Sequence, residues 1–502
     1  MSIDIRQMLS ATPGVADQPD ARRTGAIRIE SRSSRISPVV VTGIVRIVEA
    51  TLVLVTGAAV HLAYVSKITA FGWGYATAVV AVAALATLAF QAIGAYTIGA
   101  LRSFLVTGLK LTVAWTVVFL SAIALLFFLK AGDQFSRVWL GIWYGGGLVS
   151  LLSFRFAASR WVRAMTRAGR FDRRTAIVGG GEPANEIIRL LQAQPESGIR
   201  IVGVYDDRDD DRSPKVIGGY EKLGRVSDLV EHARRTPVDL VIFTLPISAE
   251  NRLLQMLGKL WVLPIDIRLS AHASKLRLRP RSYSYVGSVP VLDVFDRPIA
   301  DWDHVIKWLF DKIVGSVLLV LCSPILLLAA IAVKLDSPGP ILFRQKRYGF
   351  NNELVEVLKF RSMRVDATDA AASKLVVRDD PRVTRVGRFL RRTSIDELPQ
   401  LLNVVFRGNL SLVGPRPHAL QAKAADRLYD QVVDSYFARH RVKPGITGWA
   451  QINGWRGETD TQEKLQRRVE HDLHYIENWS VFFDLYIMLA TPFALLKHDT
   501  AY

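Results

Sequence analysis

The chain has 502 residues, half of them hydrophobic, and a formal net charge of +18. That length suits about three domains at roughly 150 residues each, and the apolar share is high for a wholly soluble chain of this size. A single cysteine, Cys322, excludes an internal disulfide and a thiolate-built metal site, which leaves nucleic acid, anionic lipid or an anionic substrate to explain the charge.

Residues 1–38 are polar, rich in Arg and Ser, and lack an apolar core in the first 30 positions. No secretory signal is visible there, and the segment reads as a disordered tail. Four apolar stretches come next within 39–160, at 39–65, 73–93, 104–129 and 138–156. Each is near or above the roughly 20 residues needed to cross a bilayer, so four transmembrane helices are expected. Arg46 and Glu49 lie inside the first, at a spacing that lets them pair on a helix. The flanks are basic at both ends: Arg22, Arg23, Arg28, Arg32 and Arg35 before, and Arg155, Arg160, Arg163, Arg167, Arg170, Arg173 and Arg174 after. The positive-inside rule then makes both ends cytoplasmic, in agreement with an even number of spans. Arginines at a membrane surface gain about 1 kcal/mol each from anionic lipid. With no zinc-finger, homeodomain or RNA-binding signature in the chain, nucleic acid is set aside as a partner.

Residues 172–272 read as a Rossmann-like α/β domain. "RRTAIVGGGEPANEIIRLLQ" has the form strand, Gly-rich turn, helix, and Gly179 to Ala184 fits G-x-G-x-x-A. A second strand, "IRIVGVYDD", ends in Asp206-Asp207, where a ribose-binding acid would lie. "VDLVIFTLP" and "LPIDIRL" supply a third and fourth strand, and the alternation with helices predicts a parallel sheet. A lone glycine fingerprint is weak evidence, and here the bulky Glu182-Pro183 pair starts the helix, so a working nucleotide site and a structural remnant both stay open. No Tyr-x-x-x-Lys pattern comes after it to support redox chemistry. Residues 273–300 read as a linker.

From 313 to 333 the chain is apolar throughout, with Ser323-Pro324 near the centre. Proline removes a backbone donor and should break the helix there, and the Ser323 hydroxyl is a local partner for a freed carbonyl. Lys307 and Lys312 precede the stretch, and Lys334, Arg344, Lys346 and Arg347 lie after it. Basic flanks on both sides favour a re-entrant helix over about 305–335 that enters and leaves the same face.

The last third is dense in Arg, Lys, Gly and Pro, a mixture suited to holding a diphosphate through forked guanidinium bonds and closely approaching backbone amides. Within it, "RRTSIDELPQLLN" sets Asp396 beside Glu397. Ser394 and Glu397 fit the S-x-x-E capping box, and Pro399 places a helix start between Thr393 and Asp396. A pair of acids at a helix start is also an arrangement for phosphoryl transfer, with one carboxylate as nucleophile and the other as magnesium ligand.

The region from about 299 onward resembles the bacterial sugar transferase family. The likeness rests on Ser323-Pro324, "KFRSM" (359–363), "DPRVTRVGRFLRRTSIDELPQL" (380–401), "SLVGPRP" (411–417) and "KPGITGWAQINGWRG" (443–457). With the four spans and the α/β unit it covers nearly everything after residue 38, and is similar to the large membrane phosphoglycosyl transferases. The resemblance implies an α+β catalytic domain over 301–502 on the cytoplasmic face of the bacterial inner membrane. It implies transfer of hexose-1-phosphate from a UDP-sugar, UDP-glucose with UDP-galactose the alternative, to undecaprenyl phosphate, with release of UMP. This is the first membrane step of exopolysaccharide, capsule or O-antigen synthesis, and it runs through a phosphosugar-aspartyl intermediate. Carried onto this sequence, Asp396 is the nucleophile and Glu397 the magnesium ligand. Arg416 contacts the uridine end, and Lys359, Arg361, Arg382 and Arg388 contact phosphate. The resemblance leaves a homodimer open. The alternative to an enzyme is a membrane scaffold that senses nucleotide through its α/β unit. "WSVFFDLYIMLATPFALLK" near the C-terminus is either an interfacial helix or a core helix, and His440, His471 and His474 form no metal pattern.

Overall fold

In the computed structural model the described residues are 35–67, 73–194, 197–208, 214–245, 249–271, 284–287, 289–364, 381–418, 436–455 and 461–497, with two short strands at 423–424 and 427–428. The expected N-terminal tail lies outside them, apart from its last four residues. The described residues divide into two compact units, one up to Asp172 and one from Arg173 onward.

The first unit contains α1 (Pro38–Tyr64), α2 (Trp73–Ala92), α3 (Phe104–Phe128) and α4 (Arg137–Arg167). Glycine opposite tryptophan lets them pack closely. Trp143 lies against Gly57, and Trp115 against Gly147, where any Cβ would collide with the indole. The indole N–H groups find backbone acceptors: Trp139 on Gly57 at 3.0 Å and Trp143 on Val53 at 3.1 Å. The predicted Arg46–Glu49 pair is replaced. Glu49 is held by Arg155 of α4, through Nε at 2.5 Å and a second nitrogen at 2.9 Å. Arg46 lies over the Tyr96 ring. A buried carboxylate needs a buried partner, and the bidentate fork of Arg155 meets both oxygens.

Among the described residues four helices are long and apolar enough to cross a membrane, but they are not the predicted four. α1, α2 and α3 are among them, and α4 is not. Tryptophan, tyrosine and three consecutive glycines dilute its apolar stretch. The fourth is α8 (Asp301–Asp336), in the second unit.

That unit opens with an eight-stranded sheet in the order β3-β4-β2-β1-β5-β6-β8-β7. β1 (Arg173–Val178), β2 (Ile199–Tyr205), β4 (Tyr220–Gly224), β5 (Leu240–Phe243) and β6 (Asp266–Ser270) run parallel. β3 (Val216–Ile217), β7 (Ser284–Val286) and β8 (Val289–Phe295) join antiparallel. α5 (Glu182–Gln192), α6 (Val226–Arg235) and α7 (Glu250–Leu260) bury apolar faces on the sheet. The expected linker over 273–300 therefore supplies two strands, because Val289 and Val291 are apolar enough to be buried in the sheet's core. Asp206, expected to face a ribose, is fully buried and gripped by Arg208 at 2.8 Å. The same guanidinium reaches the Gly180 carbonyl at 3.3 Å, across the Gly-rich turn.

α8 is helical on both sides of Pro324, where the missing backbone donor allows the expected bend. Pro324 has no N–H for the Val320 carbonyl four residues back. The Ser323 hydroxyl donates to that carbonyl at 2.7 Å and satisfies it. Both halves of α8 pack on the C-terminal region. Phe310, Val314 and Leu318 join one core cluster, and Ala329 and Val333 join another with Phe360 and Leu390. Between them Val317, Val320, Leu321, Leu327 and Leu328 are exposed.

That region builds a hairpin of β9 (Leu342–Tyr348) and β10 (Leu354–Phe360). After it come α9 (Arg385–Arg392), β11 (Ser411–Val413), the short pair β12 (Lys423–Ala424) and β13 (Arg427–Leu428), β14 (Gly445–Thr447), α10 (Gln462–Glu477) and α11 (Val481–Lys497). α11 meets both expectations at once. Phe483 and Ile487 belong to the core, whereas Phe482, Tyr486, Leu489 and Phe493 are exposed.

Candidate active site

The acid pair occupies a short 3-10 turn, Ile395–Glu397, directly after α9. The predicted capping box does not form. Ser394 sits in the left-handed region (φ 59°) and its side chain makes no capping bond. The Glu397 carboxylate turns inward instead. Its Oε1 accepts from Lys359 Nζ at 2.8 Å and from an Arg416 guanidinium nitrogen at 2.5 Å. Two cations outweigh one backbone N–H as partners for a carboxylate out of water.

Three backbone devices bring these groups together. Lys359 comes from β10, whose open edge is clasped by Asn403. The Asn403 amide oxygen accepts from Leu358 N at 3.0 Å, and its nitrogen donates to the Glu356 carbonyl at 2.7 Å. Asn403 is fully buried shortly after the acids, so it ties the strand bearing Lys359 to the segment bearing Glu397. Arg416 lies just past β11, which pairs in parallel with β14. Gly414, Gly445 and Gly448 meet backbone to backbone there, and a Cβ on any of them would strike main-chain atoms. Beneath the turn, Arg439 donates to the Arg416 carbonyl at 2.6 Å and forms an ion pair with Asp472 at 2.6 Å. The β11 end is further pinned to α8 by Asp311, which accepts from Ser411 Oγ at 3.0 Å and Leu412 N at 3.1 Å, and by Lys307, which donates to the Val413 carbonyl at 3.0 Å and to Asp484 at 2.6 Å.

A narrow cleft results, lined by Arg347, Lys359, Glu397, Gln400, Arg416 and Ile446. Arg347 was not singled out by the sequence as a site residue. Its guanidinium is held by Gln345 Oε1 at 2.7 Å and by the Pro417 carbonyl. The signal that finds it is positional: on β9 it pairs across the hairpin with Val355, two residues from another cleft-lining residue, Val357.

The electrostatics divide the two acids. Burial alone would raise Glu397, but the charges and hydrogen bonds of Arg416 and Lys359 outweigh it and hold that carboxyl well below the usual range. Asp396 is 8% exposed. Burial pushes its carboxyl upward and the neighbouring Glu397 charge adds to this, against the pull of Lys359, Arg391 and Arg416. Burial also lowers Lys359, and it lowers Arg347 to about 10 with the help of Arg416.

The other predicted phosphate contacts are elsewhere. Arg361 is buried at the end of α8, where it donates to the Ser337 carbonyl at 2.6 Å and its hydroxyl at 3.0 Å. The last carbonyls of a long helix need such a donor, and Arg361, two residues beyond Lys359, supplies it. Arg388 lies on the exposed side of α9. Arg382 is half-buried beside the bridge between Met363 and Val383, its carbonyl accepting from Arg364 N. Ser323 and Pro324 sit in mid-helix as described.

Among the described residues no group of three or more His, Cys, Asp or Glu side chains could hold a metal. Glu397 in the cationic cleft, with Asp396 next to it in the chain, is still a fitting donor set for magnesium, which takes one or two carboxylates and completes its shell with phosphate oxygens and water. Both cations take Oε1 of Glu397, leaving its second oxygen for a metal.

A family model described as a bacterial sugar transferase matches residues 302–498, and one described as a CoA-binding domain matches 91–271. The chain is 37% identical over 376 residues to the UDP-glucose:undecaprenyl-phosphate glucose-1-phosphate transferase of Xanthomonas campestris pv. campestris, covering 74% of this chain and 77% of that protein. It is 38% identical over 392 residues to the protein of the same name from Escherichia coli (strain K12), covering 77% and 81%. It is 42% identical over 336 residues to the undecaprenyl-phosphate glucose phosphotransferase of Komagataeibacter xylinus, covering 65% and 59%.

Proposed function

The chain belongs to the bacterial sugar transferase family and is a membrane-bound enzyme; from that premise we propose that it transfers glucose-1-phosphate from UDP-glucose to undecaprenyl phosphate, releasing UMP. The observation that carries this reading is the convergence of Arg347, Lys359 and Arg416 on a cleft containing only one fully committed carboxylate, Glu397. A buried excess of positive charge calls for an anion, and a sugar diphosphate supplies it. Glucose is the sugar in the names of all three relatives described above.

The two acids take different parts. Asp396, pushed upward by burial, is the more basic and so the better nucleophile once ionised. Its carboxylate oxygen attacks the sugar-bearing phosphorus of the donor. The bond from that phosphorus to the bridging oxygen breaks, and UMP leaves with the electron pair. A phosphate oxygen of undecaprenyl phosphate then attacks the same phosphorus, and the Asp396 carboxylate is released. Glu397, held anionic by two cations, keeps Lys359 and Arg416 in position for the donor phosphates and would hold magnesium. When bound, that ion supplies neutralisation of charge on the phosphate oxygens. Arg416 meets the nucleotide end.

We read α8 as entering the membrane and returning to the same face. Its two halves pack on one catalytic domain while its middle exposes leucine and valine, an arrangement a straight crossing would disrupt. Basic residues at both ends fit the cytoplasmic face, and the lipid-linked product suits the start of polymer assembly.

The test is UMP release from UDP-glucose by purified protein in detergent or nanodiscs. Release should require undecaprenyl phosphate for turnover, and magnesium. UDP-galactose as the better donor would revise the sugar. No release from any UDP-sugar would defeat the reading.

A further inference from the structure

Gln400 is a polar side chain of the cleft that the reaction described above leaves unused. It lines the cleft beside Lys359, Glu397 and Arg416, and only 4% of it is exposed. The charged groups around it are paired, Lys359 and Arg416 with Glu397, and Arg347 with Gln345 and the Pro417 carbonyl. The Gln400 side chain makes no hydrogen bond among the described residues. Neither end of its amide is sealed from water, so the amide opens on the cleft. A buried amide without a partner is costly, and the fold holds this one in place. Leu398 and Pro399 have helical backbone angles, which join the acid turn to the helical residues from Gln400 onward. Leu401 and Val404 belong to the core cluster with Val357, and Asn403 clasps β10. Gln400 thus stands four residues after Asp396 and three after Glu397, the spacings that bring side chains onto one helical face.

We propose that the Gln400 amide donates a hydrogen bond to a non-bridging oxygen of the sugar-bearing phosphorus while Asp396 attacks it. This deepens, and rests on, the glucose-1-phosphate transfer proposed above. Two points choose that partner. An amide N–H is a neutral donor, so it adds little to the pull of the three cations on the bound diphosphate, and it acts where charge is redistributed on the phosphoryl oxygens during attack. Its spacing of one turn from Asp396 sets it beside the phosphorus that this carboxylate must reach. No bond of Gln400 changes. The bond from the Asp396 oxygen to phosphorus forms, the bond from phosphorus to the bridging oxygen breaks, UMP leaves with the electron pair, and the amide keeps its protons.

The test uses the full chain in nanodiscs. UMP release is followed at steady state with undecaprenyl phosphate present, and uptake of label from sugar-labelled UDP-glucose is followed in a single turnover without it. Gln400→Leu removes the donor, and Gln400→Glu keeps the size of the side chain but replaces the N–H donors with a carboxylate. Both variants should lose roughly a hundredfold in kcat and in labelling rate, while the KM for UDP-glucose stays in place, the signature of a contact made only during attack. UDP-glucose with one sulfur on the sugar-bearing phosphorus exists as two diastereomers. Wild type should favour one of them, and Gln400→Leu should narrow that preference. A higher KM with kcat intact puts the amide on a part of the donor held equally before and during attack, and overturns the proposal. An unchanged diastereomer preference also overturns it, as does a lower unfolding temperature in both variants that accounts for the lost activity. If wild type takes up no label, the covalent reading of the reaction fails and takes this proposal with it. A labelled wild type with equally fast variants defeats the role of Gln400 alone.

Discussion

Replacing Asp396 by Asn tests the division of labour between the two acids, because it should affect activity and stability in opposite directions. Asn is close in size to Asp and keeps one oxygen acceptor but cannot form the phosphosugar bond. Removing a catalytic nucleophile costs about 10⁴-fold or more in turnover. Stability should change the other way. Asp396 is 8% exposed and beside Glu397, and its carboxyl is pushed above the ordinary range by burial and by that neighbour. A group raised on folding favours the native state when protonated and loses that contribution as pH rises through its folded pKa. At neutral pH the ionised carboxylate therefore weakens the fold, and Asn, a permanent mimic of the neutral form, removes the penalty. Relief of a strained active-site group stabilises by roughly 0.5–2 kcal/mol. The assay pairs UMP release with thermal unfolding in detergent at neutral and acid pH. The Asp396→Asn variant should unfold at a higher temperature than wild type at neutral pH, with the gap closing in acid, and should not retain label from sugar-labelled UDP-glucose. Activity within tenfold of wild type, or a lower unfolding temperature at neutral pH with labelling intact, would refute the assignment.

The supports of the cleft can be tested one at a time. Asn403→Leu leaves Leu358 N and the Glu356 carbonyl without their partners and should cost about 2–5 kcal/mol, read as a lower unfolding temperature with a matching loss of UMP release. Gly445→Ala forces a Cβ into the backbone of Gly414 and Thr447 and should cost about 3 kcal/mol or more, read as poor yield of folded protein. Burial lowers Lys359, so the rate should fall on the alkaline side before an ordinary lysine would titrate. Lys359→Arg should move that limb to higher pH, while the acid limb, set by the raised Asp396, stays put.

Much of the chain was legible because the relevant signals are local. Helix lengths over α1 to α3 follow from unbroken apolar runs, and the strand–glycine–helix order at 173–192 follows from period and turn chemistry. Ser323 was correctly read as the partner of a carbonyl freed by Pro324, since donor and acceptor lie three residues apart. The errors share the opposite property. Glu49 was matched to Arg46, three positions away, but it binds Arg155 across 106 residues. Glu397 was matched to the backbone at Ser394, but it binds Lys359 and Arg416, 38 and 19 residues distant. Arg361, which the resemblance assigns to phosphate, closes the end of α8.

The sequence alone therefore determined the elements, the acid pair and the chemical class of its surroundings, because periodicity and residue type act over a few positions. Only the tertiary structure decided which cations face Glu397, that Arg347 joins them, and that Arg388 is exposed beside Phe389. Those choices depend on which long side chains are stripped of water at the same place, and burial is a property of the packed fold.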